Sequence, residues 1–442
     1  MLRTTMFLMF LLLFAGCRTA SPTLPTEEPA PMDVLNTIAE TYIKLVLRLG
    51  LHDADYVDAY HGPAAWRQEV ERDQTDLAGI LAQAQKLLND LAATAVPGDP
   101  MLALRHNYLS KQLKSLAARA SFLNGEKMSF DEECARLYDA VPPTYDAAHF
   151  QNLIAELDGL LPGEGGVQER LEHYRDGFVI TKEKLGAVFD AAIAEGRRRT
   201  ALHIPLPETE NFVVEYVTGK AWSGYNWYQG DYQSLIQVNT DLPIYIERAV
   251  DLACHEGYPG HHVYNLLLEK HLVQERGWVE FSVYPLFSPQ SLIAEGSANF
   301  GIEVAFSKAE RLAFEKEVLF PLAGIDPGQA EDYYRVLDIL AQLKYAGNEA
   351  ARGYLDGTMS AAEAVDWLVS YALYSRERAE QRLQFIEKYR AYVINYNLGQ
   401  DMVAAYVARK GGTEADAERR WRVFAELLSS PMLPSNLTGE QP

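Results

Sequence analysis

The chain has 442 residues, 48% hydrophobic and 23% charged, with 25 tyrosines and 17 phenylalanines. That composition supports a sizeable core and excludes a largely disordered chain. The formal charge of −21, with basic residues only in short patches such as Arg197–Arg199 and Arg419–Arg420, excludes a nucleic-acid-binding surface.

The first element is a leader. Arg3 precedes the apolar run Met6–Phe14, which is too short to span a bilayer comfortably and ends in Phe14-Ala15-Gly16-Cys17. This resembles a bacterial lipoprotein signal peptide over residues 1–16, with Cys17 as the lipidated residue. Arg18 stands where an inner-membrane retention signal carries Asp, so the resemblance implies export and a lipid anchor at the outer membrane, facing the periplasm. Residues 17–32 are Pro-rich and read as an extended tether.

From Asp33 the pattern is helical, with Leu35, Ile38, Tyr42, Leu45 and Leu49 at three- and four-residue steps. Further helices are predicted over about 74–95, 101–124, 130–140 and 147–158. The glycines of 163–166 break the chain, and one long helix follows from Val167 to Arg199. Residues 211–218, with Gly224, Gly230 and 232–239, read as a small sheet or hairpin. Pro243 is expected to open the helix that carries a histidine cluster, and helical periodicity dominates from Ser288 onward. The expected fold class is mainly α, with a small β element just before that helix. Cys134 and Cys254 lack the repeated spacing of a structural zinc site, and Cys254 reads as a buried free thiol.

The cluster is His255-Glu256-Gly257-Tyr258-Pro259-Gly260-His261-His262, which holds three of the ten histidines. About forty residues later Ala294–Glu303 places carboxylates on another apolar helix. In His-Glu-x-x-His hydrolases two histidines one turn apart hold one zinc ion, and the glutamate takes a proton from the attacking water. Here the spacing is longer. Six residues on a regular helix leave His255 and His261 roughly 120° apart, while His262 returns to the same face almost two turns away. Pro259-Gly260 allows a widened turn or kink that brings His261 back beside His255. His261 is therefore favoured over His262 as the ligand, with His262 lining the pocket or binding substrate.

These residues resemble the domain-of-unknown-function 885 family, which is similar to zinc metallopeptidases of the gluzincin type. His-Glu-x-x-Pro-Gly-His is matched at 255–261. Of Glu-Gly-Trp-Ala-x-Tyr, Glu295, Gly296 and Ala298 match, while Ser297 and Phe300 differ. Tyr396-Asn397-Leu398-Gly399 looks like the family's Ser-Tyr-Lys-x-Gly segment, with Ala391-Tyr392-Val393 in place of the usual Pro-Gly-Gln.

The resemblance implies a large helical metallopeptidase-like fold, a peptide substrate and one Zn2+ held by His255, His261 and Glu295. It also implies Glu256 as general base and Tyr396 as oxyanion donor. Tyr392 and Arg390 are further donor candidates. Glu303 and Asp251 are each either a partner orienting a ligating histidine or, for Glu303, a surface charge. The strand Ser234–Asn239 either holds an extended peptide at its edge or is purely structural. The expected organisation is a helical subdomain over 33–200, a catalytic subdomain over 201–432 and a tail over 433–442. Two other functions fit the sequence: a non-catalytic lipoprotein that binds peptides or a partner, and a zinc hydrolase of a non-peptide amide or ester.

Overall fold

The computed structural model describes residues 31–220 and 222–439. The expected signal peptide, Cys17 and the tether up to residue 30 lie outside the described residues. No helix among those described is long and apolar enough to cross a membrane.

The fold is mainly α. The first helix, Pro31–His52, buries Leu35, Ile38, Tyr42, Leu45 and Leu49 along the stripe that the sequence marks. Helix starts follow local capping chemistry. Asp99 accepts a hydrogen bond from the amide of Leu102 with Pro100 in the first turn, and Ser129 forms a capping box with Glu132.

The helix expected to run from 167 to 199 is two helices, Val167–Asp176 and Lys182–Ala201. The intervening turn and the isolated bridge at Val179 pair with the chain ahead of the histidine cluster. Ile180 N–H donates to Ile244 O at 2.8 Å, and Ile246 N–H donates to Phe178 O at 2.9 Å. The same pairing engages Ile244, Tyr245 and Ile246, so the next helix begins only at Glu247, not at Pro243.

Five strands form two sheets. β1 (Val57–Tyr60) pairs antiparallel with β5 (Val283–Pro285). β2 (Asn211–Val217), β3 (Gly224–Gly230) and β4 (Gln233–Asn239) form a sheet in the order β2-β4-β3, with β2 parallel and β3 antiparallel to β4. Ser234–Asn239 therefore lies in the central strand. Both its backbone edges are paired, so the expected edge for an added peptide strand is not available there. Ser234, Ile236 and Val238 alternate onto the buried face.

Two large cores hold the structure, and each draws on both sides of residue 200. One joins Phe178, Val188 and Phe189 to Val250, Ile293, Phe320 and Phe424. The other joins Tyr42, Leu113 and Phe130 to Phe287, Leu292 and Ile394. The helices Pro289–Ala305 and Ile394–Arg409 pack especially closely. A Cβ on Gly296 would lie 2.4 Å from the carbonyl of Gly399, so only glycine at this crossing lets the backbones meet.

Candidate metal centre

The histidine cluster does not lie on a continuous α-helix. The helix Glu247–Leu252 widens into a π-turn over Ala253–Gly257, closed by Tyr258 N–H donating to Ala253 O at 3.0 Å. The Tyr258–Pro259 peptide is cis. Gly260 N–H then reaches back to Cys254 O at 2.8 Å, and a new helix, His261–Leu268, starts immediately. A Cβ on Gly260 would sit 1.9 Å from His255 O, so the fold-back requires glycine. His255 thus lies within the π-turn that closes one helical segment and His261 opens the next, with their rings nearly perpendicular and 4.7 Å apart between centroids.

Three ligand-type atoms converge there. His255 Nε2 and His261 Nε2 are 3.2 Å apart. Glu295 Oε2 lies 3.3 Å from the first and 3.7 Å from the second. Among the described residues this is the group of histidine and acid side chains with metal-holding geometry. A tetrahedral ion with bonds of about 2.0–2.1 Å separates its ligands by roughly 3.3 Å, which matches this triangle. Glu295 Oε2 is also buried without a hydrogen-bond partner, although its sister oxygen accepts from Tyr392 Oη at 2.7 Å. A buried carboxylate oxygen left in that state calls for a further partner. The three residues therefore fit a metal ion.

Neighbouring groups set the electrostatics. Burial alone would lower the His261 imidazole's pKa, but Glu295, with Glu256 and Asp58 behind it, raises it to about 9. Burial works to raise the Glu295 pKa, and the two histidines instead hold it far below the usual carboxylate range.

His255 is oriented by Asn299, whose Oδ1 lies 2.9 Å from His255 Nδ1 while its Nδ2 donates to Tyr396 O at 2.8 Å. The amide is thereby committed to accept from Nδ1–H, leaving the Nε2 lone pair for the ion. Asn299 was missed in the sequence. Its position four residues after Glu295, on the same helical face, is the signal that could have found it.

Glu256 lies beside this group, with its backbone carbonyl accepting from Asn226 Nδ2 at 2.7 Å. Its carboxylate packs over Gly224, where a Cβ would come within 2.8 Å of Oε1. Asp58, carried in from β1, was also missed. It accepts from Tyr225 Oη, and its pKa is pushed up to about 6, by burial first, with Glu295 and Glu256 adding. No local pattern marks it, because β1 reaches the site only by pairing with β5.

The remaining candidates separate. Tyr392 spends its hydroxyl on Glu295, and Tyr396 lies next to it with ring centroids 5.8 Å apart. Burial, then Glu295, pushes the Tyr396 hydroxyl above the usual tyrosine range. His262 does not line a pocket. It is fully buried, with Nδ1 2.9 Å from Ser234 Oγ and Nε2 3.1 Å from Glu210 Oε2. Asp251 faces away from the histidines, to Arg311 at 2.8 Å. Glu303 is exposed and accepts from Gln400 Nε2. Arg390 pairs with buried Glu133 at 2.7 Å and so is committed elsewhere. Cys134 and Cys254 are both buried free thiols.

No family model matches the chain, and no curated protein matches it in sequence. Similar solved structures include a protein from Colwellia psychrerythraea at 14% identity and TM-score 0.49, covering 82% of this chain and 68% of that one. Another is a protein of unknown function from Shewanella oneidensis, at 14% identity and TM-score 0.43, covering 82% and 75%. A third is metallocarboxypeptidase 1 of Trypanosoma cruzi, at 13% identity and TM-score 0.37, covering 93% and 96%.

Proposed function

We propose that the protein is a zinc-dependent hydrolase that cleaves peptide bonds, a metallopeptidase resembling the domain-of-unknown-function 885 family. The observation that carries this reading is the triangle of His255 Nε2, His261 Nε2 and Glu295 Oε2, whose carboxylate oxygen is buried without another partner.

His255, His261 and Glu295 would hold the ion. When bound, zinc supplies Lewis acidity, polarising a carbonyl and making water more acidic. Glu256 takes the proton of the attacking water and returns it to the leaving amine. Its packing against Gly224 and the anchored Glu256 carbonyl limit its motion. Tyr396 donates a hydrogen bond to the developing oxyanion, since the Tyr392 hydroxyl is already committed to Glu295. Asn299 keeps His255 in the tautomer the ion needs. β3, the sheet edge beside Glu256, is the edge that would hold an extended peptide, the alternative left open for Ser234–Asn239.

The reading extends to location: export, removal of residues 1–16 and a lipid on Cys17, which places the folded body on a tether at the outer membrane. Loss of acyl labelling in Cys17→Ser tests that part.

The test of the activity is direct. Purified protein should carry about one zinc per chain and hydrolyse members of a peptide library, with activity removed by a chelator and restored by zinc. Glu256→Gln should keep the metal and lose at least about 100-fold in kcat. Glu256→Gln protein that cleaves at the wild-type rate would sink the reading.

A further inference from the structure

Alongside the acidic metal centre the fold gathers positive charge that forms no ion pair among the described residues. The helix Arg376–Tyr389 carries Arg378 and Arg382 one turn apart. The Arg378 guanidinium lies 4.3 Å over the Tyr374 ring, and that of Arg382 lies 4.7 Å over Phe385. Lys344 belongs to the same group. Burial works to raise the Tyr374 hydroxyl's pKa, yet Arg378, Arg382 and Lys344 together pull it below the ordinary tyrosine value.

Cations nearby are paired: Arg352 with Glu349, Arg376 with Asp366, Lys388 with Asp55. Lys344, Arg378 and Arg382 have no such acid partner among the described residues, and Arg382 Nε is buried without an acceptor. In a chain of net charge −21, three cations in one place without a direct ion pair are a selective feature, not an average one. Arg382 is only half-buried, and a guanidinium without a paired carboxylate keeps donors for a ligand oxygen.

The group adjoins the candidate metal centre. Phe385, under Arg382, has its centroid 6.5 Å from that of Tyr396. Asn397, next in sequence to Tyr396, donates from Nδ2 to Lys344 O at 3.5 Å and to Asn348 Oδ1 at 3.2 Å. The turn between Lys344 and Asn348 also approaches Arg382, since a Cβ on Gly347 would lie 3.9 Å from Arg382 Nη2. An extended peptide advances about 3.3–3.6 Å per residue, so a substrate entering past Tyr396 reaches Arg382 within a few residues.

We propose that Arg382, supported by Lys344 and Arg378, forms an anion subsite that takes a carboxylate of the substrate, either the free chain terminus or an acidic side chain. The inference rests on the reading of the metal centre as that of a peptide hydrolase. Arg382 sets specificity here and takes no part in bond cleavage. The fork of its guanidinium suits two carboxylate oxygens, and the aromatic faces of Phe385 and Tyr374 hold the guanidinium groups in place.

Binding to zinc-loaded protein separates this subsite from the activity itself. Calorimetry with N-benzoylglycine and with its amide needs no turnover. The acid should bind on the order of tenfold more tightly than the amide. Arg382→Gln should abolish the difference, and Arg382→Lys should retain part of it. Equal binding of acid and amide to wild type, or equal weakening of both in Arg382→Gln, would overturn the subsite even if peptides are cleaved. A retained difference without any turnover would uphold the subsite and count against the hydrolase reading. Three peptides of one sequence then distinguish the sources: free acid, C-terminal amide, and amide with a penultimate Glu. A lower KM for the first identifies a terminal carboxylate, and a lower KM for the third identifies a side chain. No KM difference among the three overturns the proposal.

Discussion

Asn299 Oδ1 lies 2.9 Å from His255 Nδ1, and the Asn299 amide nitrogen is tied to Tyr396 O. One side chain thus fixes the face that His255 presents and ties the helix Pro289–Ala305 to the chain segment carrying Tyr396. Asn299→Ala should weaken zinc binding about 10- to 100-fold with little change in thermal stability. Competition against a chromogenic chelator measures it. Unchanged affinity would show that His255 is oriented without this contact.

The fold-back at Gly260 and the crossing at Gly296 leave no room for a methyl group. The added carbon would lie 1.9 Å from His255 O in the first case and 2.4 Å from Gly399 backbone atoms in the second. Gly260→Ala and Gly296→Ala should each lose at least about 4 kcal/mol of stability or fail to accumulate folded protein. Gly98→Ala, where a Cβ meets no atom within 4 Å, serves as the control and should unfold with wild type. Chemical denaturation followed by circular dichroism compares the three.

Glu210 ties both sides of the bend to the sheet. It accepts from Tyr258 Oη at 2.6 Å, lies 3.1 Å from His262 Nε2 and pairs with Arg197. Tyr258 and His262 bracket Pro259, Gly260 and His261, so this carboxylate holds His261 through its neighbours. Glu210→Gln should lower stability by about 2 kcal/mol, reduced by the exposure of Arg197, and weaken zinc binding in parallel. A stability loss with fully retained zinc affinity would assign Glu210 a purely structural role.

Behind the bend, Glu315 is enclosed with Arg311. Burial raises its pKa to about 7, outweighing the pull of Arg311. The folded protein therefore binds this proton more tightly than the unfolded chain, whose glutamate titrates near about 4.3. Stability from this group is fully present below that value and is lost as pH rises through about 7. The difference in unfolding free energy between wild type and Glu315→Gln should accordingly shift against wild type between about pH 4.5 and 7. Urea unfolding across that range measures it, and a pH-independent difference would contradict the raised value.

Much of the local structure was legible because it follows from short-range chemistry. The stripe from Leu35 to Leu49 is buried as its spacing requires, and strands form at 211–217, 224–230 and 233–239, where β-formers cluster between turn residues. The break between Asp176 and Lys182 was not legible, because it is fixed by the pairing of Phe178 and Ile180 with Ile244 and Ile246.

The sequence by itself also singled out His255, Glu256, His261 and Glu295, and required a distortion at Pro259-Gly260, since helix geometry forbids the two histidines from meeting otherwise. Only the tertiary structure decided the form of that distortion and what surrounds it. The π-turn, the commitment of His262 to Glu210 and Ser234, and the arrival of Asp58 beside the site all depend on contacts between segments far apart in the chain. So do the central place of β4 and the gathering of Lys344, Arg378 and Arg382. Periodicity and spacing record which face a residue takes on its own element. They carry no information about which element will cover that face, and at this site the covering elements set the partners, the charge and the room left for a ligand.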